Sequence, residues 1–145
     1  MGKLWGGRVP KFFATTIAAT MVLSNMSVAA GMPKQILNDM VNYYVLGDIP
    51  ALKQYIDVRF IGYQSLFDTM QIAVNQEAQV RIFFSNIKIL NGRSVVVITT
   101  NWEKRYLLKP TMTPQLKRGQ VNLMFEQFNN QWQLSAISGN NPFTH

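Results

Sequence analysis

The hydrophobic pattern of this 145-residue chain changes its period once, near Val80, and that change restricts the folds available to it. Before Val80 the apolar residues recur every three or four positions, which is typical of amphipathic helices. From Val80 onward they recur every second position, which is typical of strands with one buried face. Helices followed by consecutive strands predict an α+β domain with a mainly antiparallel sheet.

Two turn signals divide the first part of the helical region. We predict a first helix that has Pro33 in its first turn, where proline's missing N–H costs nothing, and that ends at Gly47. Asp48 is a good N-cap, and Pro50 follows in the first turn of a short second helix. The first two helices are therefore predicted to be separated by a tight connection.

The segment after the second helix is predicted to be a short strand followed by a third helix. Residues 58–61 are rich in β-branched and aromatic side chains, and Gly62 would end such a strand. A serine followed three residues later by an acid, over residues 65–68, indicates a capping box at the start of the third helix. We expect this helix to end at residues 76–79.

The ends of the predicted strands coincide with strong turn signals. Asn91-Gly92 between two apolar runs indicates a tight hairpin, in which we expect Gly92 to adopt a positive φ. Asn129-Asn130 indicates a second tight turn. The apolar parity changes near Ser85 and Asn86, which predicts a β-bulge in the first strand.

The remaining strands follow from the same alternation. The run Val95–Ile98 is apolar on both parities, which favours a strand in the interior of the sheet. Two prolines indicate a loop between the second and third strands. The predicted order after the first strand is a strand over 94–108, a loop over 109–118, a strand over 120–128 and a strand over 131–137.

The first thirty residues have the pattern of a secretory signal. A basic start precedes an apolar run over residues 12–23, which is too short to span a bilayer, and small residues lead up to Ala30. We predict cleavage after Ala30, a single mature domain over residues 31–145, and a periplasmic or secreted location in a bacterium. An uncleaved membrane anchor is the alternative.

Composition excludes several kinds of site. The chain has no cysteine, and its one histidine is the final residue, His145, so a thiolate or imidazole metal site and a catalytic triad are not expected. With the three signal cations removed, eleven basic residues remain against seven acidic ones. This mild excess, together with export, argues against a nucleic acid partner. We expect no metal and no cofactor.

The residues over 43–52 and 125–134 carry a family resemblance. The first stretch reads Tyr-Tyr-Val-Leu-Gly-Asp-Ile-Pro-Ala-Leu and the second ends in Trp-Gln-Leu. These motifs resemble the nuclear transport factor 2-like superfamily of α+β cone domains, which includes the polyketide-cyclase-like (SnoaL-like) proteins. The resemblance implies three N-terminal helices packed on a curved sheet of four to five strands. It also implies a cone that holds a ligand or an active site, and an outer sheet face that forms a homodimer.

Three sets of residues are candidates for function, each with a plain structural alternative. Aromatic residues could line a pocket for a small apolar ligand or could be ordinary core, and those retained as candidates are Tyr44, Tyr63, Phe67, Trp102 and Tyr106. Basic residues could contact an anion, an acidic partner or a membrane surface, or could be a solvated hairpin end, and these are Lys104, Arg105, Lys109, Lys117 and Arg118. Glu103 and Glu126 are the candidates for acid–base chemistry, and mixed surface charge is their alternative.

These observations favour a non-enzymatic exported domain that binds a small apolar ligand or an envelope protein. The first alternative is a lyase or isomerase of the SnoaL-like type. The second is an envelope assembly component similar to the periplasmic domain of a type IV secretion inner-membrane subunit. An inward-facing acid without a cationic partner would favour the enzyme.

Overall fold

The structure is a computed structural model that describes residues 32–144, so the predicted signal segment and His145 lie outside the described residues. Three helices precede four strands, in the predicted order. The elements are α1 (32–46), α2 (Ile49–Lys53), α3 (Tyr63–Gln76), β1 (Glu77–Asn91), β2 (Val95–Leu108), β3 (Thr113–Phe128) and β4 (Gln131–Gly139).

The connection between α1 and α2 is as predicted. Gly47 follows the last residue of α1 with a φ of 74°, in the left-handed region that glycine adopts without steric cost. The side chain of Asp48 then accepts a hydrogen bond of 3.1 Å from the backbone N–H of Ala51. This cap fixes the direction in which the short helix α2 leaves α1.

The predicted strand at residues 58–61 is wrong. These residues form turns, and the only strand-like pairing nearby is a single parallel bridge between Ile56 and Leu134 among the described residues. Asp57 holds the turn, because its carboxylate accepts hydrogen bonds from both the backbone N–H and the guanidinium of Arg59. The β-branched residues that suggested a strand are solvent-exposed here.

The predicted capping box is also wrong. Helix α3 begins at Tyr63, and its N-cap is Gly62 with a φ of 79°. Ser65 therefore lies inside the helix, where its carbonyl oxygen accepts a hydrogen bond from the hydroxyl of Thr69. The carboxylate of Asp68 accepts from the Gln64 side chain instead of capping the helix. The predicted end of α3, near Gln76, is confirmed.

The four strands form one antiparallel sheet in the order β1-β2-β3-β4, so β2 is an interior strand as predicted. The predicted bulge is present, since the register of β1 shifts between Ser85 and Lys88 and Asn86 has a φ of 52°. A second shift, between Ala78 and Arg81, was not predicted. Bulges bend the strand that carries them, and the concave face of the sheet receives the helices.

Two predictions about connections are corrected. The loop predicted over 109–118 covers only 109–112, because β3 already begins at Thr113. At Pro114 strand β3 pairs with β2 alone, so the proline leaves no second ladder incomplete. The first hairpin is present, and its loop covers residues 92–94. Gly92 does not adopt the predicted positive φ in this loop.

Candidate functional site

The inner face of the sheet carries a buried polar cluster formed by Glu77, Lys104 and Tyr44. From Val96 to Tyr106 the even-numbered side chains of β2 point inward and are buried, and Lys104 lies between Trp102 and Tyr106 in this series. Glu77 is the first residue of β1, and Tyr44 lies near the end of α1. Three separate elements therefore place their polar atoms at one point inside the domain.

The three side chains form a closed hydrogen-bonding arrangement. The ammonium of Lys104 lies 2.7 Å from Oε1 of Glu77, and both side chains are fully removed from solvent. The hydroxyl of Tyr44 donates to Oε2 of Glu77 at 2.8 Å and accepts from Lys104 at 3.3 Å. Among the described residues no buried polar side-chain atom lacks a hydrogen-bond partner. Every buried polar atom of the cluster therefore has a hydrogen-bond partner.

Burial dominates the electrostatics of the cluster. It lowers the pKa of Lys104, while the hydrogen bond and the charge of Glu77 act in the opposite direction. Burial also raises the pKa of Tyr44 far above its ordinary value, and the neighbouring carboxylate of Glu77 adds to this rise. The phenol of Tyr44 therefore stays protonated throughout the physiological range.

Residues 140–144, which we call the C-terminal tail, cover the cluster and the inner face of β2. The carbonyl oxygen of Thr144 accepts a hydrogen bond of 3.2 Å from Lys104, and that of Asn140 accepts one of 2.7 Å from the indole of Trp102. Phe143 is completely buried, with its ring edge-on to Tyr44 at 5.5 Å between centroids. Phe143 is thus part of the hydrophobic core.

The five candidate aromatic residues do not line one pocket. Tyr44, Trp102 and Tyr106 are buried around the tail and the polar cluster. Tyr63 and Phe67 instead contact each other edge-to-face on α3, at 4.7 Å between ring centroids. Tyr63 is half-buried and Phe67 is buried.

The two candidate acids lie outside the cone interior. Glu103 projects from the outer face of the sheet, and hydrogen bonds from Arg105 at 2.6 Å and Arg118 at 3.2 Å lower its pKa. Glu126 is partly exposed and lies 3.9 Å from Arg59. Both glutamates are thus surface residues paired with arginines, which is the structural alternative to a role in acid–base chemistry.

Sequence reasoning missed Glu77, the buried acid of the polar cluster, because it directly follows α3 among polar residues, a position typical of a solvated helix end. The parity of β2 could have located its partner, since Lys104 shares a face with Trp102 and Tyr106. A bulge at Gln79, with a φ of 50°, separates Glu77 from the rest of β1. Because the bulge shifts the register, the alternation of side chains along the rest of β1 does not predict that Glu77 points inward.

The five candidate basic residues do not form one surface patch. Lys104 is buried, and Lys117, its partner in the β2–β3 register, is half-buried on the same inner face. Arg105 and Arg118 lie on the outer face beside Glu103. Lys109 is exposed in the loop between β2 and β3. The sheet separates residues that the sequence places next to one another.

An open groove of about 620 Å³ lies where the ends of α1 and α3 meet the start of β1. Tyr44 and Glu77 are among its lining residues, so the groove extends to the polar cluster. Its remaining lining residues are Val45, Leu46, Gly47, Gln71, Val74, Asn75, Ala78, Gln79, Val80 and Lys109.

Within residues 32–144 no group of three or more histidine, cysteine or acidic side chains is arranged to hold a metal ion. No helix in this part of the chain is long and apolar enough to cross a membrane.

Comparison with known proteins places the fold. No protein-family model and no curated protein matches the chain. A nuclear transport factor 2-like superfamily protein from Salmonella enterica serovar Typhimurium superposes with a TM-score of 0.69 at 11% identity, covering 81% of this chain and 93% of that one. The chain has the nuclear transport factor 2-like cone fold.

Two other structures with this fold differ in what they are said to do. A candidate dehydratase from Streptomyces avermitilis gives a TM-score of 0.68 at 8% identity, over 78% of this chain and 96% of that one. The association domain of a calmodulin-dependent kinase from Caenorhabditis elegans gives 0.60 at 10% identity, over 79% and 99%. The fold resemblance predicted from the sequence is confirmed, and at these identities it shows the fold alone.

Proposed function

We propose that this chain is an exported, non-enzymatic association domain that binds protein through the outer face of its sheet, with a second copy of itself as the partner. A sheet with helices on one face normally has its other face solvated or covered by another molecule. The observation that carries the proposal is the set of apolar side chains on this outer face.

The apolar side chains of the outer face lie side by side on three strands. Val97 on β2 pairs with Leu90 on β1 and with Met124 on β3. Leu90 is 73% exposed, and the other two are partly exposed within the described structure. Exposed apolar side chains clustered in this way mark surfaces that bind protein.

The charged end of the same face suits a symmetric partner. Glu103, Arg105 and Arg118 place both signs of charge next to each other there. A two-fold axis brings the same patch of both copies together, so each surface must be complementary to itself. A face with an apolar end and a mixed-charge end meets this requirement, whereas a face of one charge would repel its copy.

The similar structures agree with a role in assembly. One is the association domain of a calmodulin-dependent kinase from Caenorhabditis elegans, and a second is a candidate association domain of such a kinase from Exiguobacterium sibiricum. The second covers 75% of this chain with a TM-score of 0.61 at 12% identity. These proteins support association as a function that this fold can perform.

The proposal is tested by measuring molar mass with light scattering at micromolar concentrations. We expect the wild-type protein to be a dimer and Val97→Arg to be a monomer, because the arginine places two charges in the middle of the interface. Ile61→Arg is the matched control, since Ile61 is 95% exposed and lies in the loop before α3, outside the four strands. A monomeric wild type, or a Val97→Arg dimer as stable as the control, would contradict the proposal.

A non-enzymatic role is supported by the state of the inner cone. Lys104 and Glu77 neutralise each other, and the tail closes the space above them. An acid–base catalyst needs its proton-transfer group within hydrogen-bond reach of a substrate. A substrate of the lyase or isomerase alternative would therefore have to displace the tail or enter through the groove beside α1 and α3, and in either case break the pair of Lys104 and Glu77.

Binding of a small ligand is a second candidate function, favoured by the groove beside α1 and α3. Leu46 is 77% exposed at its rim, and Lys109 adds a cation. The fluorescent anion 8-anilinonaphthalene-1-sulfonate is a suitable probe because it combines an aromatic body with one negative charge. Binding that Leu46→Asp abolishes and Ile61→Asp preserves would support the groove; equal effects of both variants would count against it.

Export is part of the proposal and has its own test. The basic start, short apolar run and small residues before Ala30 support cleavage at that site. We expect intact-mass analysis of protein from the envelope or the medium to give a chain that begins at Gly31. A membrane fraction that retains Met1 would instead support the uncleaved anchor.

A further inference from the structure

The C-terminal tail is held mainly by hydrogen bonds from side chains and by burial of its apolar side chains, as a bound peptide ligand would be. Within the described residues, the one backbone–backbone hydrogen bond of this segment is from Asn140 N–H to the carbonyl of Gln120, at 2.9 Å. Its other hydrogen bonds to the sheet come from side chains on β2. Because the tail follows the last strand, its departure breaks no hydrogen bond between strands of the sheet.

The donors beneath the tail are fully used only while the tail is present. The ammonium of Lys104 has three protons, and its three acceptors are Glu77, Tyr44 and the carbonyl of Thr144. The indole of Trp102 has a single N–H, which bonds to the carbonyl of Asn140. Two buried donors would therefore lose their acceptors if the tail left, and such a loss is costly.

An aromatic ring of the tail lies beside the polar cluster. Phe143 is completely buried and meets Tyr44 edge-on, and the neighbouring Pro142 is also buried. A glycine makes the close approach of the tail feasible, since a Cβ at Gly119 would lie 2.7 Å from Asn140 and 2.9 Å from the ring of Trp102. The inner face of the sheet is thus shaped for the backbone of this segment.

From this arrangement we propose that the inner face of β2 is a peptide-binding site, and that the C-terminal tail occupies it in cis. The site takes a short peptide with a proline-aromatic pair flanked by two free carbonyl groups. A neutral carbonyl is preferred to a carboxylate, because Glu77 already balances the charge of Lys104 and a further buried negative charge would have no partner. This site lies on the opposite face of the sheet from the association surface and does not depend on it.

The experiment weakens the tail and offers the same segment in trans. The full chain with Phe143→Ala keeps both carbonyls but leaves the ring site empty. Isothermal titration calorimetry with the synthetic peptide Asn-Asn-Pro-Phe-Thr-His should give saturable binding with one peptide per chain. The peptide with alanine in place of phenylalanine should bind about tenfold to a hundredfold more weakly, which is the contribution of one buried ring.

Two matched proteins control for non-specific binding. The wild-type chain should bind the peptide at least tenfold more weakly, because its own tail competes at a high effective concentration. Phe128→Ala, which removes a phenylalanine that is 59% exposed, should behave like the wild type. A folded Phe143→Ala protein that does not bind the peptide, or that binds both peptides equally, would overturn the proposal.

A measurement on the wild-type chain keeps the proposal testable if Phe143→Ala does not fold. Hydrogen exchange of the Trp102 indole proton should be governed by a local opening, with little dependence on denaturant, while the amide protons of β2 require global unfolding. If the indole proton exchanges only on global unfolding, the tail is an inseparable part of the core and the proposal fails.

Discussion

The ammonium of Lys104 and the carboxylate of Glu77 lie 2.7 Å apart, and neither side chain contacts solvent. A buried pair of this kind has two opposed properties. Breaking it leaves an uncompensated charge in a medium of low polarity, whereas replacing both members by apolar residues removes two desolvation penalties at once. Comparing single with double substitutions therefore distinguishes a coupled ion pair from two polar residues that contribute independently to stability.

The first prediction follows from this asymmetry. Lys104→Met should lower the free energy of unfolding by about 3–5 kcal/mol, because it leaves Glu77 buried without its cation. The double variant Glu77→Leu with Lys104→Met should be substantially more stable than Lys104→Met alone. Urea denaturation of the four proteins of this cycle measures the coupling, and additive effects of the two substitutions would show that the charges do not interact.

The second prediction concerns the hydroxyl of Tyr44. Tyr44→Phe keeps the ring that contacts Phe143. It removes the hydroxyl that donates a hydrogen bond to Glu77 and accepts one from Lys104. We expect a loss of about 1–3 kcal/mol in the free energy of unfolding, the cost of leaving buried polar groups without partners. Tyr43→Phe, on the partly exposed side of α1, is the control, and an equal loss in both variants would count against a role for the cluster.

How much of this the sequence predicts depends on the range of the interactions involved. The end of α1 at Gly47 and the cap at Asp48 depend on neighbouring residues alone, and both are confirmed. The bulge near Asn86 is visible because it reverses a long alternation. Local signals also produced the false strand at 58–61, where β-branched residues have no strand to pair with.

The polar cluster could not be predicted, because its members are far apart in the sequence. Tyr44 and Glu77 are 33 residues apart, and Lys104 lies 27 residues beyond Glu77. Their meeting depends on the register between β1 and β2, which an unpredicted bulge at Gln79 shifts. Lys104 also stands beside Arg105, so that a charge count along the chain assigns it to the surface.

A third prediction is a pH dependence at the turn after α2. Hydrogen bonds from Arg59 lower the pKa of the buried Asp57 carboxylate relative to the unfolded chain. The stabilisation is therefore complete above the unfolded-state pKa of about 4 and is lost as the pH falls through the lower folded-state value. The difference in unfolding free energy between wild type and Asp57→Asn should shrink below pH 4.

The control for this pH dependence is Asp68→Asn, at an exposed acid on α3. Denaturant unfolding between neutral and strongly acidic pH should show no comparable change for that variant. A difference between wild type and Asp57→Asn that is the same at both ends of the range would mean that the carboxylate does not change its interactions on folding.

A fourth prediction separates backbone strain from steric contact at two glycines. Gly139 and Gly62 have φ values of 85° and 79°. A Cβ at Gly139 would lie 2.6 Å from the carbonyl oxygen of Gln120, whereas a Cβ at Gly62 would meet nothing within 4 Å. Gly62→Ala should cost about 1–2 kcal/mol from strain alone, and Gly139→Ala should cost more. Equal losses of stability for Gly62→Ala and Gly139→Ala on thermal unfolding would mean that Gly139, at the end of β4, does not lie against the Gln120 carbonyl.

The closure of the cone is tested most directly by the reactivity of its lysines. The wild-type protein is treated with an amine-acetylating reagent under native conditions, and mass spectrometry of its peptides follows each lysine with time. Lys34, Lys88 and Lys109 are exposed and should be acetylated quickly, whereas Lys104 should react on the order of a hundredfold more slowly, because it must wait for an opening of the structure. Acetylation of Lys104 at the rate of the exposed lysines would contradict the burial of this side chain inside the domain.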